Sequence, residues 1–157
     1  MTGVMIGEGE RTFQQLCEYY VNQTGSLEEI RGIAFRDQDS GKTVFTPVQE
    51  PMNMSDIPFC YDHIENFENR IIYYESSRGC PFNCSYCLSS IDKKLRFRDI
   101  ELVKKELAFF IEKKVPQVKF VDRTFNCRHD HAMEIWRFVK EHDNGLRTSI
   151  SRFLPTF

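Results

Sequence analysis

Ile71-Ile72-Tyr73-Tyr74-Glu75-Ser76-Ser77-Arg78-Gly79-Cys80-Pro81-Phe82-Asn83-Cys84-Ser85-Tyr86-Cys87 is the stretch whose reading decides the fold. Its first four residues form a continuous apolar run, the pattern of a strand buried on both faces in a parallel sheet. The run gives way to a loop holding three of the chain's six cysteines, with three residues between the first pair and two between the second. Such spacing lets one loop wrap several soft thiolate ligands around a single metal centre. The carboxyl end of a strand is also where α/β sheets place their sites. The number of thiols is informative in itself. A structural zinc takes four ligands, whereas three thiolates on a four-iron cluster leave one iron open to a substrate or cofactor.

Downstream of the loop, Asp99 is placed to cap a helix whose apolar stripe is Ile100, Val103, Leu107, Phe110 and Ile111. Lys113 and Lys114 sit near its negative end, and Pro116 stops it. A strand over 118–121 and a helix carrying Ala132, Ile135, Trp136 and Val139 follow, the helix ending before Asn144-Gly145. The order strand, helix, strand, helix predicts parallel strands joined by right-handed crossovers. The second strand runs into Phe120-Val121-Asp122-Arg123-Thr124-Phe125-Asn126, so parallel pairing puts this polar group at the same sheet edge as the cysteine loop. The tail over 146–157 is interrupted by Arg, Ser and Pro and is a poor candidate for a buried third strand.

Upstream, Val4-Met5-Ile6 reads as a short strand, Gly7-Glu8-Gly9-Glu10 breaks it, and Phe13, Leu16, Cys17, Tyr20 and Val21 recur at helical spacing. That is half of a wound α/β unit, stopping near Thr24-Gly25. The glycine pair before a helix resembles a phosphate cradle, but two glutamates do not welcome an anion. Residues 30–36 and 43–46 read as strands of a hairpin across Asp37-Gln38-Asp39-Ser40-Gly41. Over 47–69 the prolines Pro47, Pro51 and Pro58 interrupt regular structure, giving a linker pinned by Ile57, Phe59 and Tyr61. The division expected is therefore 1–46, a linker at 47–69, and 70–157.

Composition sets the outer bounds. The chain has 157 residues, 41% hydrophobic and 28% charged, with 21 basic against 23 acidic side chains and a net charge of -2. Neither sign dominates, which argues against attachment to nucleic acid or anionic lipid by charge alone. No apolar run approaches the ~20 residues of a membrane span, and the start lacks the layout of a secretory signal. A cytoplasmic protein with no membrane partner is expected, its cysteines reduced and available to metal or redox chemistry.

The three-residue and two-residue gaps, with the aromatic Tyr86 directly before the last cysteine, resemble the signature of the radical S-adenosylmethionine (radical SAM) superfamily. The resemblance implies that Cys80, Cys84 and Cys87 ligate a [4Fe-4S] cluster and that Tyr86 lies near the adenine of S-adenosylmethionine. It also implies that the reduced cluster cleaves this cofactor to methionine and a 5'-deoxyadenosyl radical, which abstracts hydrogen from a substrate. A reductant such as flavodoxin or ferredoxin would supply the electron, and the substrate, a small molecule or a macromolecule, is left open. In such barrels the edge formed by the second strand helps hold the methionine amino group, so Asp122, Arg123 and Thr124 are placed near the cofactor, with Asp122 favoured. An ordinary strand-to-helix turn accounts for the same residues.

Two other chemistries use the same thiols: a zinc knuckle completed by a histidine from elsewhere, and a ferredoxin-like electron carrier with a fourth cysteine. Cys127, His129 and His131 are the further candidates for zinc ligands, a solvated loop being the alternative. Ahead of the cysteine loop, Val4 to Phe13, residues 30–35 and Asp56-Ile57-Pro58 resemble the closing part of a cobalamin-binding domain that precedes the barrel in B12-type radical SAM proteins. The resemblance offers cobalamin as a cofactor, while the family's Asp-x-His-x-x-Gly signature is not among the 157 residues and is expected upstream of Met1. The fold expected is α/β: the end of a cobalamin-binding-type domain, then the first two βα units of a partial radical SAM (βα)6 barrel. With ~30 residues per strand-helix unit, this reads as a chain short at both ends, with activity limited by the missing barrel wall.

Overall fold

The computed structural model of the chain describes residues 3–63, 65, 67, 70–88, 94–142 and 153–155. It divides into two compact units, Met1–Met52 and Asn53–Phe157. Among the described residues, no helix is long and apolar enough to cross a membrane.

The first unit is a three-stranded antiparallel sheet with one helix. Strands β1 (Gly3–Met5), β2 (Ile33–Arg36) and β3 (Thr43–Phe45) lie in the order β1-β2-β3, with Met5 opposite Ile33 and Phe35 opposite Val44. The β2–β3 hairpin matches its sequence signal, and the Asp37 carboxylate closes the turn by accepting from the Ser40 amide at 2.9 Å. The first strand corrects the expectation of a wound unit: β1 pairs antiparallel to β2. Helix α1 (Glu10–Asn22) also turns a different face inward. Thr12 is buried and Leu16 and Tyr19 pack against Ile30, Ile33 and Phe35, whereas Phe13, Tyr20 and Val21 are exposed. Thr12, Leu16 and Tyr19 keep the i, i+4, i+7 spacing of one helix face. The Thr12 hydroxyl anchors that face by donating to the Arg31 carbonyl at 2.9 Å. Gly32 explains why β2 starts at Ile33: its φ is 75°, and a Cβ there would stand 3.0 Å from the Thr12 hydroxyl.

The second unit is built on a parallel pair, β4 (Ile71–Tyr74) and β7 (Gln117–Phe120), with Ile72 opposite Val118 and Tyr74 opposite Phe120. Helices α2 (Ile100–Glu112) and α3 (His129–Glu141) pack on one face of it. Asp99 caps α2 as the sequence indicates, its carboxylate accepting from the Glu101 and Leu102 amides at 3.0 and 3.1 Å. The core joins Ile72, Tyr74, Val118 and Phe120 from the strands to Leu107 and Phe110 of α2 and Ile135 and Val139 of α3. Each large side chain so buried contributes about 1.5–3 kcal/mol.

Two expectations are corrected here. β4 is buried on one face only, since Ile71 and Tyr73 are 45% and 55% exposed, because both helices cover the same side of the pair. A third strand does form in the tail: β8 (Phe153–Pro155) pairs parallel to β7. Pro155 offers no backbone donor, consistent with so short a ladder. Asn144-Gly145 and the rest of the tail lie outside the described residues.

Part of the stretch expected as linker belongs to the second unit. A 3-10 turn over Met54–Asp56 buries the Met54 side chain, and Phe59 and Tyr61 each set their rings 5.4 Å from that of Phe110. Arg98, at the far end of the cysteine loop, holds this segment by donating to the Met54 carbonyl and, at 2.9 Å, to the Ile57 carbonyl. The same guanidinium forms a buried bidentate pair with Glu106 of α2 at 2.5 and 2.9 Å, and the Tyr74 hydroxyl donates to that carboxylate at 2.5 Å. Three elements thus meet on one buried charge. Glu106→Ala would strand Arg98 uncompensated, and about 3–5 kcal/mol of stability should be lost. Urea unfolding of the full chain, followed by the fluorescence of Trp136, the sole tryptophan, measures this. A change within about 1 kcal/mol, the scale of an exposed pair, would contradict it.

Candidate functional site: the cysteine loop

The loop leaves β4 and is closed at its base before it reaches the cysteines. β5 (Ser77–Arg78) and β6 (Arg96–Phe97) pair antiparallel, with Ser77 opposite Phe97 and Arg78 opposite Arg96, so the chain leaves and returns through a fixed neck. Gly79 is the tightest point of that neck. Its φ is 96° and a Cβ would lie 2.4 Å from the Lys94 carbonyl oxygen, so only glycine fits. Arg78 is held aside by Glu75, Nη2 to Oε2 at 2.6 Å.

Beyond the neck, Cys80 and Cys87 are half-buried and Cys84 is exposed. Cys84 and Cys87 share a turn in which the Cys87 amide donates to the Cys84 carbonyl at 3.1 Å. None of the six cysteines is in a disulfide, which leaves three reduced thiols on one short loop. This donor set fits a soft, thiolate-liganded centre. Among the described residues, no three His, Cys, Asp or Glu side chains converge on one point, so the three sulfurs share a loop without sharing a coordination geometry. Tyr86 projects from the loop at 91% exposure.

The strand end facing the loop is engaged more closely than its sequence suggests. Asp122, favoured from sequence as a cofactor contact, is 2% exposed and turned inward. Its carboxylate accepts from the Ser76 amide at 3.2 Å, the Ser76 hydroxyl at 2.8 Å and the Ser77 hydroxyl at 2.5 Å. Burial pushes this carboxyl above its ordinary value, against the opposing pull of the Ser77 and Ser76 hydrogen bonds. Asp122 therefore fixes the residues that enter the loop. Ser76 and Ser77 were not singled out from sequence; the available signal was a pair of small hydroxyl residues opposite an acidic strand end. Arg123 is exposed, while the Thr124 hydroxyl stands 3.4 Å from the Cys80 sulfur.

Cys127, His129 and His131 are not brought together as a metal site. Cys127 is half-buried in the turn after Thr124, and burial, with the charges of Asp122 and Cys80, raises its thiol above the ordinary value. His129 is exposed. His131 is 2% exposed and packs its ring 5.1 Å from that of Phe97, and the Arg128 guanidinium lies 4.0 Å from the centroid of the same Phe97 ring. Arg128 Nη2 is 3.1 Å from His131 Nδ1; arginine only donates, so Nδ1 accepts and the proton sits on Nε2.

Comparison with known proteins gives these features a family. A family model described as the radical SAM superfamily matches residues 74–156. An uncharacterized methyltransferase of Pyrococcus horikoshii is 29% identical over 98% of this chain and 35% of its own length. The radical S-adenosylmethionine methyltransferase TsrM of Kitasatospora setae superposes with a TM-score of 0.66 at 18% identity, over 98% of this chain and 32% of that one. The cobalamin-dependent S-adenosylmethionine radical enzyme OxsB gives a TM-score of 0.67 at 18% identity, over 88% of this chain and 21% of that one. The chain thus spans about a third or less of the length of these proteins, and the likeness to TsrM and OxsB is one of fold. The mixed α/β architecture is that of the cobalamin-dependent radical SAM enzymes, of whose radical SAM domain it holds a part.

The burial of His131 has a measurable consequence. Desolvation first, and the positive charge of Arg128 second, hold its ring at about 4, below the ordinary 6.5. The unfolded chain takes up a proton near 6.5 and the folded chain does not, so stability is lost as pH falls from about 6.5 toward about 4. Urea midpoints at a series of pH values should fall across this window in the natural chain and fall less in His131→Leu. Parallel profiles for the two would show that the ring is not held neutral.

Proposed function

Because the chain belongs to the radical SAM superfamily, whose model matches residues 74–156, we propose that Cys80, Cys84 and Cys87 hold a [4Fe-4S] cluster and that the chain is a radical SAM protein. The observation that carries this reading is the loop itself: three reduced thiols beyond a fixed neck, at the end of a parallel strand. When bound and reduced, such a cluster supplies the electron that cleaves S-adenosylmethionine to methionine and a 5'-deoxyadenosyl radical.

The chain's own residues prepare the loop for that group. Gly79 lets the backbone pass the Lys94 carbonyl. Asp122 acts through Ser76 and Ser77 to fix the approach to Cys80 and is a positioning residue in this reading. The exposed Tyr86 ring, next to the third ligand, is available to stack on the adenine of the cofactor. A one-electron donor such as flavodoxin or ferredoxin supplies the reducing equivalent. The relatives named as methyltransferases favour methyl transfer as the reaction class. OxsB is described with aqua-cobalamin bound, which is consistent with cobalamin as a further cofactor; the Asp-x-His-x-x-Gly signature is not among the chain's 157 residues.

The test is anaerobic reconstitution of the full chain with iron and sulfide. About four irons per chain and a brown chromophore are expected, and Cys80→Ala, Cys84→Ala and Cys87→Ala should each abolish most of the uptake. Iron uptake unchanged in all three variants, or tight zinc with no iron uptake by the natural chain, would overturn the proposal.

A further inference from the structure

Two side chains reach from the end of β7 to the cysteine loop, and they do different work. Asp122 grips Ser76 and Ser77, so it sets where the backbone enters the loop. Thr124 touches a sulfur. Its Oγ1 lies 3.4 Å from Cys80 Sγ, within hydrogen-bond reach for the larger atom, and both residues are half-buried. In a thiol and hydroxyl pair either partner can donate. A metal-bound cysteine has no S–H proton, so there the hydroxyl is the donor and the sulfur the acceptor.

The position of Thr124 is fixed on both sides. Two residues before it, Asp122 is buried under three hydrogen bonds. One residue after it, Phe125 is buried with its ring 4.8 Å from Phe120 and 5.6 Å from Trp136. The Thr124 carbonyl also closes the next turn by accepting from the Cys127 amide at 3.1 Å. A hydroxyl held so firmly against a ligating sulfur draws negative charge from it. Adding one electron to an iron-sulfur cluster adds one negative charge, so a hydrogen bond to a ligand sulfur favours the reduced state.

We propose that Thr124 is a positioning and tuning residue of the cluster: its hydroxyl donates to the Cys80 sulfur and raises the reduction potential. The inference rests on the reading of Cys80 as a cluster ligand, and it identifies a contact from outside the cysteine loop that this reading does not require. It concerns the one-electron couple of the cluster, with the electron supplied by dithionite in the test. No bond is made or broken at Thr124.

The experiment compares the full natural chain with Thr124→Val, Thr124→Ala and Thr124→Ser, each reconstituted with iron and sulfide and titrated by electron paramagnetic resonance. At the natural chain's midpoint, the reduced-to-oxidised ratio should fall about tenfold in the Val and Ala variants, which is about 59 mV more negative for a one-electron couple. The Ser variant, which keeps the hydroxyl, should return toward the natural value. Equal iron content with an unchanged midpoint in both Val and Ala would overturn the inference while leaving the cluster reading intact. Failure of the natural chain to take up iron would instead remove the cluster reading itself, and this inference with it. Loss of the cluster from Val and Ala while Ser loads would make Thr124 a folding residue and would also overturn the tuning role.

Discussion

A buried carboxylate with three donors is the constraint on which the site depends. The parallel register puts Tyr74 opposite Phe120, so two residues further along each strand Ser76 meets Asp122. Taking a carboxylate out of water is costly unless its oxygens are satisfied, and here the Ser76 amide and the two serine hydroxyls satisfy them. Any displacement of the loop entrance would leave that carboxylate short of partners. The neck follows from this, with Ser77 and Arg78 in a ladder to Arg96 and Phe97 and Gly79 slipping past Lys94. The cysteines begin one residue later. Their loop is thus anchored at its root.

A second buried charge does the same for the far end of the loop. Arg98 follows β6 directly and draws together Glu106 on α2, the Tyr74 hydroxyl on β4 by way of Glu106, and the carbonyls of Met54 and Ile57. The Arg98 amide also donates to the Ser76 carbonyl at 2.9 Å, which ties this network to the Asp122 clasp. Both ends of the cysteine excursion are therefore held by buried polar groups. The apolar core of α2, α3, β4 and β7 supplies most of the unit's stability, and these two charges fix its geometry.

Local sequence signals identified much of this fold. The spacing of Cys80, Cys84 and Cys87, the Asp99 cap and the alternation of strand and helix each follow from chemistry confined to a few neighbouring residues. What the sequence hid was decided over longer distances. Phe13, Tyr20 and Val21 satisfy a helical period as well as Thr12, Leu16 and Tyr19 do, and periodicity alone cannot say which face meets the sheet. Glu106 and His131 look like solvated side chains until Arg98 and Phe97 are brought beside them. Asp122 reads as a polar strand end, and only the register of β4 on β7 shows the serines it holds. The apolar run of β4 suggested two covered faces because composition records hydrophobicity, not which side the helices take.

In the proposed function three thiolates of one loop hold four irons and leave one of them open. Mössbauer spectroscopy of the full chain, reconstituted anaerobically with the iron-57 isotope, tests it directly, before and after addition of S-adenosylmethionine. About one quarter of the iron absorption should shift when the cofactor is added, the open iron being the one that changes its ligands. A spectrum that does not change with the cofactor would contradict it.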